Sequence, residues 1–113
     1  MTETVAATLP LQRWQGERGV YHFVNFGGEE AEALAGHALM HRLEYGRQRG
    51  FGSIKVTAVI GETSWKTSVF PMKLDEMSKR SDAWTLLVSK KVMRAEDIAP
   101  GDEIEVAVTP LQV

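Results

Sequence analysis

The chain has 113 residues, of which 43% are hydrophobic and 25% are charged, and its formal net charge is −2. These values predict a single globular domain over residues 1–113 and exclude a disordered chain. The net negative charge disfavours a strongly basic surface that would bind nucleic acid or membranes. The absence of cysteine excludes disulfides, thiolate metal sites and cysteine nucleophiles.

The N-terminal half predicts two strands and a long helix. Residues 5–11 alternate between apolar and polar types, which predicts a strand that ends, or lies at an edge, at Pro10. Residues 15–19 are typical of a turn, and the aromatic and β-branched run at 20–26 predicts a second strand. A helix is predicted from residue 29 to about residue 48. Its buried stripe is predicted to hold Leu34, Ala35, Ala38, Leu39, Arg42 and Leu43.

The next segment predicts a hairpin. Residues 54–60 and 65–70 both alternate with period two around a short turn at 61–63. Pro71 is expected to end the second strand, because proline interrupts a ladder of hydrogen bonds. The charged residues 72–82 predict a connection rather than an element.

The C-terminal segment predicts a strand, a short helix and a last strand. The strands cover residues 83–88 and 104–108, and Ser89 is placed to cap a helix over 90–97. The predicted fold is therefore mainly β, with about six strands, one long helix and one short helix. Strands at this spacing favour a small barrel or sandwich with the long helix over one opening.

Three stretches of sequence resemble the domain-of-unknown-function 1905 family of bacteria and archaea. They are Arg-Gly-Phe-Gly-Ser-Ile-Lys-Val at 49–56, Trp-Lys-Thr-Ser-Val-Phe-Pro at 65–71, and residues 94–106 with Gly-Asp before the last strand. The resemblance implies a split pseudo-barrel with kinship to AbrB-like swapped-hairpin barrels, and it implies no established activity. Leu87 and Met93 depart from the family's usual proline and arginine, and Arg94 stands beside the second position.

The charges are unevenly distributed. Residues 66–94 hold seven Lys and Arg against three Asp and Glu, a balance of +4, whereas residues 95–113 hold five acids and no base. This pattern fits a solvated surface, or a non-enzymatic module that binds an anionic small molecule or an acidic protein surface. The predicted ligand-binding residues are Arg49, Trp65, Lys66, Lys73, Lys90, Lys91 and Arg94.

Two other classes of function stay open. Barrel kinship suggests an AbrB-like DNA-binding or antitoxin-type regulator, against which the acidic balance counts. A small metal-dependent or hydrolytic enzyme would use His37, His41 and Glu44, which share one helix face, or His22. The three tryptophans, Trp14, Trp65 and Trp84, are expected in the core or at the barrel mouth.

We predict no cofactor and no catalytic set. The sequence shows neither a signal peptide nor an apolar run of about 20 residues that would cross a membrane. We therefore expect a cytoplasmic protein that is a monomer or a weak homodimer.

Overall fold

A computed structural model describes residues 4–45, 53–72 and 83–111, with residues 41–45 described by their backbone alone. Seven strands and two helices lie in these ranges, so the mainly β prediction is confirmed and the count of about six strands is corrected. In chain order they are β1 (Val5–Pro10), β2 (Gln12–Gly16), β3 (Gly19–Phe26), α1 (Gly28–Tyr45), β4 (Ile54–Ile60), β5 (Thr63–Met72), β6 (Ala83–Leu87), α2 (Lys90–Glu96) and β7 (Glu103–Pro110).

All seven strands form one antiparallel sheet in the order β1-β7-β4-β5-β6-β3-β2. Strands β1 and β2 lie at opposite ends of this order, yet only Leu11 separates them in the chain. The sheet therefore curls until its two edges approach each other at Leu11, which makes it a half-barrel. The Leu11 N–H donates to Asp102 O (2.9 Å), and Leu11 O accepts from Gly101 N (2.8 Å).

The extra strand is β2, part of which the sequence predicted as a turn. Four of its five residues, Gln12 to Gln15, are exposed, so the strand gives no period-two alternation of apolar residues. The turn is shorter than predicted and consists of Glu17 and Arg18. An edge strand with no buried face has no hydrophobic pattern by which it can be recognised.

Pro71 does not end β5, contrary to the prediction. It pairs with Trp84 in β6, and β5 continues to Met72. Val88 N donates to His22 O (2.8 Å), so Val88, Leu86 and Trp84 exchange hydrogen bonds with β3 rather than with β5. Pro71 therefore occupies a non-hydrogen-bonded position against β6, and its missing N–H removes no bond from that ladder.

Helix α1 buries a different stripe from the one predicted. Ala31 and Leu34 are buried and Ala38 is half-buried, whereas Ala35 and Leu39 are exposed. The helix contacts β1 and β6 through this narrower face. Because successive residues turn by about 100°, Ala35 and Leu39 lie too far round from Leu34 to reach the sheet. The side chains of Arg42 and Leu43 lie outside the described residues.

The inner face of the half-barrel carries the core. Strand alternation turns every second residue inward, and both helices add side chains from the same side, including Leu34 and Val92. Neither described helix has the length and apolarity that crossing a membrane requires. The largest fully buried side chains are Phe26, Leu11, Leu34, Leu86, Val24, Val56, Val69, Val106 and Val108.

Helix α2 confirms the predicted short helix and its cap. Ser89 Oγ accepts a hydrogen bond from Val92 N (3.3 Å) at the N-terminus. At the C-terminus Asp97 adopts the left-handed conformation (φ 53°), and Ile98 N donates to Met93 O (3.0 Å). Met93 and Ile98 are both partly buried against the core, the apolar contact that accompanies this type of helix end.

Candidate binding surface

The cations predicted to form a ligand site are divided between two elements. Lys66 is exposed on β5, whereas Lys90, Lys91 and Arg94 are exposed on α2. The Arg94 guanidinium donates through Nε to Lys90 O within the helix (3.4 Å). Nothing described joins Lys66 to the α2 cations in one cavity. Arg49 and Lys73 lie outside the described residues.

The tryptophans divide into two groups. Trp84 is 3% exposed, and Trp65 is half-buried against the core opposite Ala58, so the expectation of core or barrel-mouth positions is confirmed for both. Trp14 contradicts that expectation, because 57% of its surface is exposed. Tryptophan is highly buried on average, so an exposed indole is an informative departure.

Of the three helix residues predicted as metal ligands, the structure describes the side chain of one. His37 lies half-buried on α1, and the side chains of His41 and Glu44 fall outside the description. Among the side chains that the structure describes, no group of three or more His, Cys, Asp or Glu could hold a metal ion. His22 is half-buried on β3, directly opposite Arg13 of β2.

The outer face of the sheet, turned away from both helices, carries an unexpected set of apolar side chains. Phe23 pairs with Leu87, Thr85 pairs with Phe70, and Tyr21 pairs with Trp14, so these positions share one face. Five of these side chains are well exposed: Trp14 57%, Leu87 43%, Met72 41%, Phe70 38% and Tyr21 38%. We call the six residues Trp14, Tyr21, Phe23, Phe70, Met72 and Leu87 the outer apolar patch.

The outer apolar patch is continuous across β2, β3, β6 and β5, which are neighbours in the sheet. Tyr21 and Phe23 are two residues apart on β3, as are Phe70 and Met72 on β5, so each pair lies on the same side of its strand. Neighbouring strands lie about 4.8 Å apart, so four strands give the patch a width of roughly 14 Å. Contiguous exposed apolar surface of this kind marks interaction sites in soluble proteins.

Trp14 and Tyr21 form an aromatic pair at one end of the patch. Their ring centroids are 5.8 Å apart and their planes meet at 25°, the offset arrangement that aromatic rings prefer. The indole also lies over Gly16, where an added Cβ would overlap two of its ring carbons. Glycine at this position therefore allows the indole to lie flat on the hairpin. A shallow depression here is lined by Trp14, Gln15, Gly16, Glu17, Arg18 and Tyr21.

The middle of the patch contains a satisfied polar pair. The Thr85 hydroxyl donates to Asn25 Oδ1 (2.6 Å) and lies 3.5 Å from Met72 Sδ. Thr85 is buried although it points outward, because the larger side chains around it cover it. This hydroxyl is thus committed to structure rather than available to a ligand.

Charge on the outer face changes sign across the sheet. On strands β2 to β6, the outward positions include two charged residues, Lys55 and Lys66, and no acid. Lys55 pairs with Ser68 on β5, which lies two residues from both Lys66 and Phe70. On β7, which lies between β1 and β4, Glu103 and Glu105 are exposed on the same face. The outer apolar patch is therefore bordered by positive charge at its β5 side, while at its other end the turn residues Glu17 and Arg18 place one charge of each sign beside Trp14.

Sequence reasoning missed this surface, although one signal for it was present. Trp14 and Tyr21 are equidistant from the two-residue turn at Glu17 and Arg18, and an antiparallel hairpin pairs equidistant residues. The predicted turn at 15–19 is three residues longer than the observed turn, and this concealed the relation. Comparison with family models gives a match to the family described as domain of unknown function (DUF1905) over residues 8–108. Comparison with curated proteins gives no match.

Proposed function

The chain belongs to the domain of unknown function (DUF1905) family, whose description assigns no activity, and from its geometry we propose that it is a non-enzymatic binding module. The outer apolar patch is the binding surface. The observation that carries this proposal is the exposure of five large apolar side chains on one face of four neighbouring strands. The site differs from the one predicted from sequence, since among the members of the predicted set that the structure describes only Lys66 borders it.

Scattered exposure would not support the proposal, because folded proteins expose many single apolar residues. Here the exposed side chains adjoin one another, and they include Trp and Tyr, the types that dominate binding energy at interfaces. Trp14 is held by Gly16 beneath it and Tyr21 beside it. A ring that is already ordered loses little conformational entropy when a partner binds.

The chemistry of the outer face supports binding rather than catalysis. The described groups of the patch itself are aromatic rings, a leucine side chain and a thioether, and the Thr85 hydroxyl among them donates a hydrogen bond to Asn25. The charged side chains beside the patch, Lys66, Glu17 and Arg18, are exposed. No described metal cluster lies near them. The AbrB-like regulator and the small hydrolase both stay predictions, as does binding by the α2 cations.

Nuclear magnetic resonance of the ¹⁵N-labelled protein tests the proposal. The probes are an oligothymidylate, a DNA duplex, an acidic peptide and an oligosaccharide, together with a dilution series of the protein itself. We expect at least one of these to shift the amide signals of Tyr21, Phe23, Phe70 and Leu87 in a saturable way. Shifts confined to α2, around Lys90 and Arg94, would contradict the proposal, as would a patch that responds to nothing.

A matched pair of variants links any response to the patch. Trp14→Ser removes the most exposed ring, and Val59→Ser removes an exposed apolar side chain from the same outer face, on β4 and outside the patch. The first should reduce the response at least several-fold and the second should leave it unchanged. Equal effects would show that exposed apolar surface in general, rather than this patch, is responsible.

A further inference from the structure

The geometry points to single-stranded nucleic acid as the partner of the outer apolar patch, an inference that rests on the proposed function. Three features of the same face carry it. They are exposed aromatic rings on three of the four strands, a positive margin at Lys55 and Lys66, and outward strand positions on β2 to β6 that hold no acid, with Glu17 offset by Arg18 in the turn beside Trp14.

The rings match the requirements of unpaired bases. A base offers a flat π face and stacks on an exposed aromatic ring with little dependence on its sequence. Trp14 presents such a ring, flat over Gly16 and alongside Tyr21, and Phe70 presents another about three strands away. A four-stranded sheet whose aromatic residues stack two or three bases is a known solution to single-strand recognition.

The charges favour an anionic chain over an apolar one. Lys66 and Lys55 lie on neighbouring strands beside Ser68, and Phe70 is the next outward residue on β5. A backbone that crosses the sheet from Trp14 to Phe70 would pass within reach of these ammonium groups. The formal net charge of the whole chain is −2, so this local positive margin is a departure from the average.

A duplex fits this face poorly. Its bases are stacked inside, and its grooves admit an α-helix or a two-stranded ribbon rather than the flat of a sheet. An acidic peptide would use the lysines but would leave the Trp14 and Tyr21 rings without a stacking partner. A second copy of the chain would cover the rings but would bring Lys55 and Lys66 towards the same charges.

Fluorescence anisotropy with a labelled oligothymidylate of about ten nucleotides tests the inference. The full chain should bind it more tightly than a duplex of equal length. Trp14→Ala should weaken binding roughly 5- to 150-fold, the range measured for loss of one stacked base. The fold of the Trp14→Ala variant is checked by its amide spectrum. Two single variants at exposed sites, Lys55→Gln and Lys66→Gln, provide a second test.

Salt dependence separates the patch from the rest of the surface. For a single strand, each neutralised phosphate contributes about −0.7 to the slope of log K against log salt. Each of the two lysine variants should therefore make the slope shallower by about 0.7. Lys90→Gln with Lys91→Gln, on exposed positions of α2, should leave both slope and affinity unchanged.

The outcomes distinguish this inference from the proposed function. Failure of the oligothymidylate to bind at low salt, or binding that depends on Lys90 and Lys91 but not on Trp14, overturns the nucleic-acid inference. If the patch signals then shift with another probe or on self-association, the binding surface itself stands. If they shift with no probe and no dilution, both fail together.

Discussion

At the scale of single residues, the contact between Gly61 and Glu96 joins two distant parts of the chain. Gly61 is the first residue of the two-residue turn between β4 and β5, and its φ is 59°. A Cβ on Gly61 would overlap the Glu96 carboxylate, which also accepts hydrogen bonds from Glu62 N (3.3 Å) and Thr63 Oγ1 (2.5 Å). One carboxylate from the end of α2 thereby closes the hairpin turn.

Substitution of Gly61 by alanine is expected to lower the free energy of unfolding by about 1–3 kcal/mol. The left-handed backbone disfavours an L-residue by roughly 1–2 kcal/mol, and the new methyl group must displace the carboxylate. Gly36→Ala is the matched control, because Gly36 lies in α1 with nothing within 4 Å of an added Cβ. It should raise stability by about 0.5–1 kcal/mol. Chemical denaturation measures both.

The Glu96→Ala background tests whether the carboxylate matters. Without the carboxylate, Gly61→Ala should lower the free energy of unfolding only through the strain of the left-handed backbone. The losses caused by the two substitutions should therefore be less than additive. Full additivity would show that Glu96 does not restrict the turn. A stabilising Gly61→Ala would show that the turn does not need a left-handed residue.

At the scale of elements, α2 depends on both of its ends because it has only seven residues. Helices this short gain little from their own propensity and are held by capping and packing. Ser89 caps the first turn, and Val92 anchors the helix in the core. The position of Glu96 over the hairpin turn follows from this anchoring.

Substitution of Ser89 by alanine should therefore lower the free energy of unfolding by about 1 kcal/mol, within a range of 0.5–2 kcal/mol. Ser64→Ala is the control, because Ser64 is exposed on the outer face of β5 and should change stability by less than about 0.5 kcal/mol. Ser89→Asp should keep most of the stability, since aspartate caps as well as serine does. Thermal and denaturant unfolding measure the stability of the three variants. A loss of stability in Ser89→Asp as large as that in Ser89→Ala would contradict the prediction.

Whether the sequence predicted an element depended on how the side chains of that element are buried. Strands β4, β5 and β7 were predicted because each buries one side and exposes the other, so their sequences alternate. Strand β2 was missed because its side chains are exposed on both sides. The buried face of α1 was misplaced because side-chain hydrophobicity favoured Leu39, whereas the small residue Ala31 of the first turn is buried and Leu39 is exposed.

The candidate site was less predictable than the fold. The sequence indicated a concentration of cations at 66–94, but which face a strand residue occupies depends on register with its neighbours. Trp14 was expected inside because tryptophan is usually buried, and its exposure follows only from its pairing with Tyr21. Segment 83–88 is apolar except for Thr85, so it shows no regular alternation that could reveal that Leu87 faces outward.

At the scale of the whole molecule, a connection of one residue closes the half-barrel. Leu11 alone links β1 to β2, and it is 1% exposed. Its backbone exchanges two hydrogen bonds with Gly101 and Asp102, where the Asp102 carboxylate also accepts from Ala99 N (2.9 Å). The turn before β7 therefore holds the point at which the two edges of the sheet meet. Strand β2, and with it Trp14, takes its position from this corner.

Substitution of Leu11 by alanine should lower the free energy of unfolding by about 2–5 kcal/mol, the usual loss when a fully buried leucine is truncated. Leu87→Ala, at a half-exposed position of the outer apolar patch, should cost less than about 1 kcal/mol and is the control.

Amide hydrogen exchange of the same two variants locates the loss within the sheet, which a stability measurement alone does not. In Leu11→Ala, the amides of Leu11 and Gly101 should lose protection first, because they donate the two hydrogen bonds of the corner. The central β4–β5 pair should keep its protection, since it has a neighbour on each side. Equal loss of protection across the sheet would contradict the view that Leu11 closes it, and so would a Leu11→Ala protein as stable as Leu87→Ala. Because the corner positions β2, Leu11→Ala should also weaken any ligand that uses Trp14, whereas Leu87→Ala should act only through its own contact.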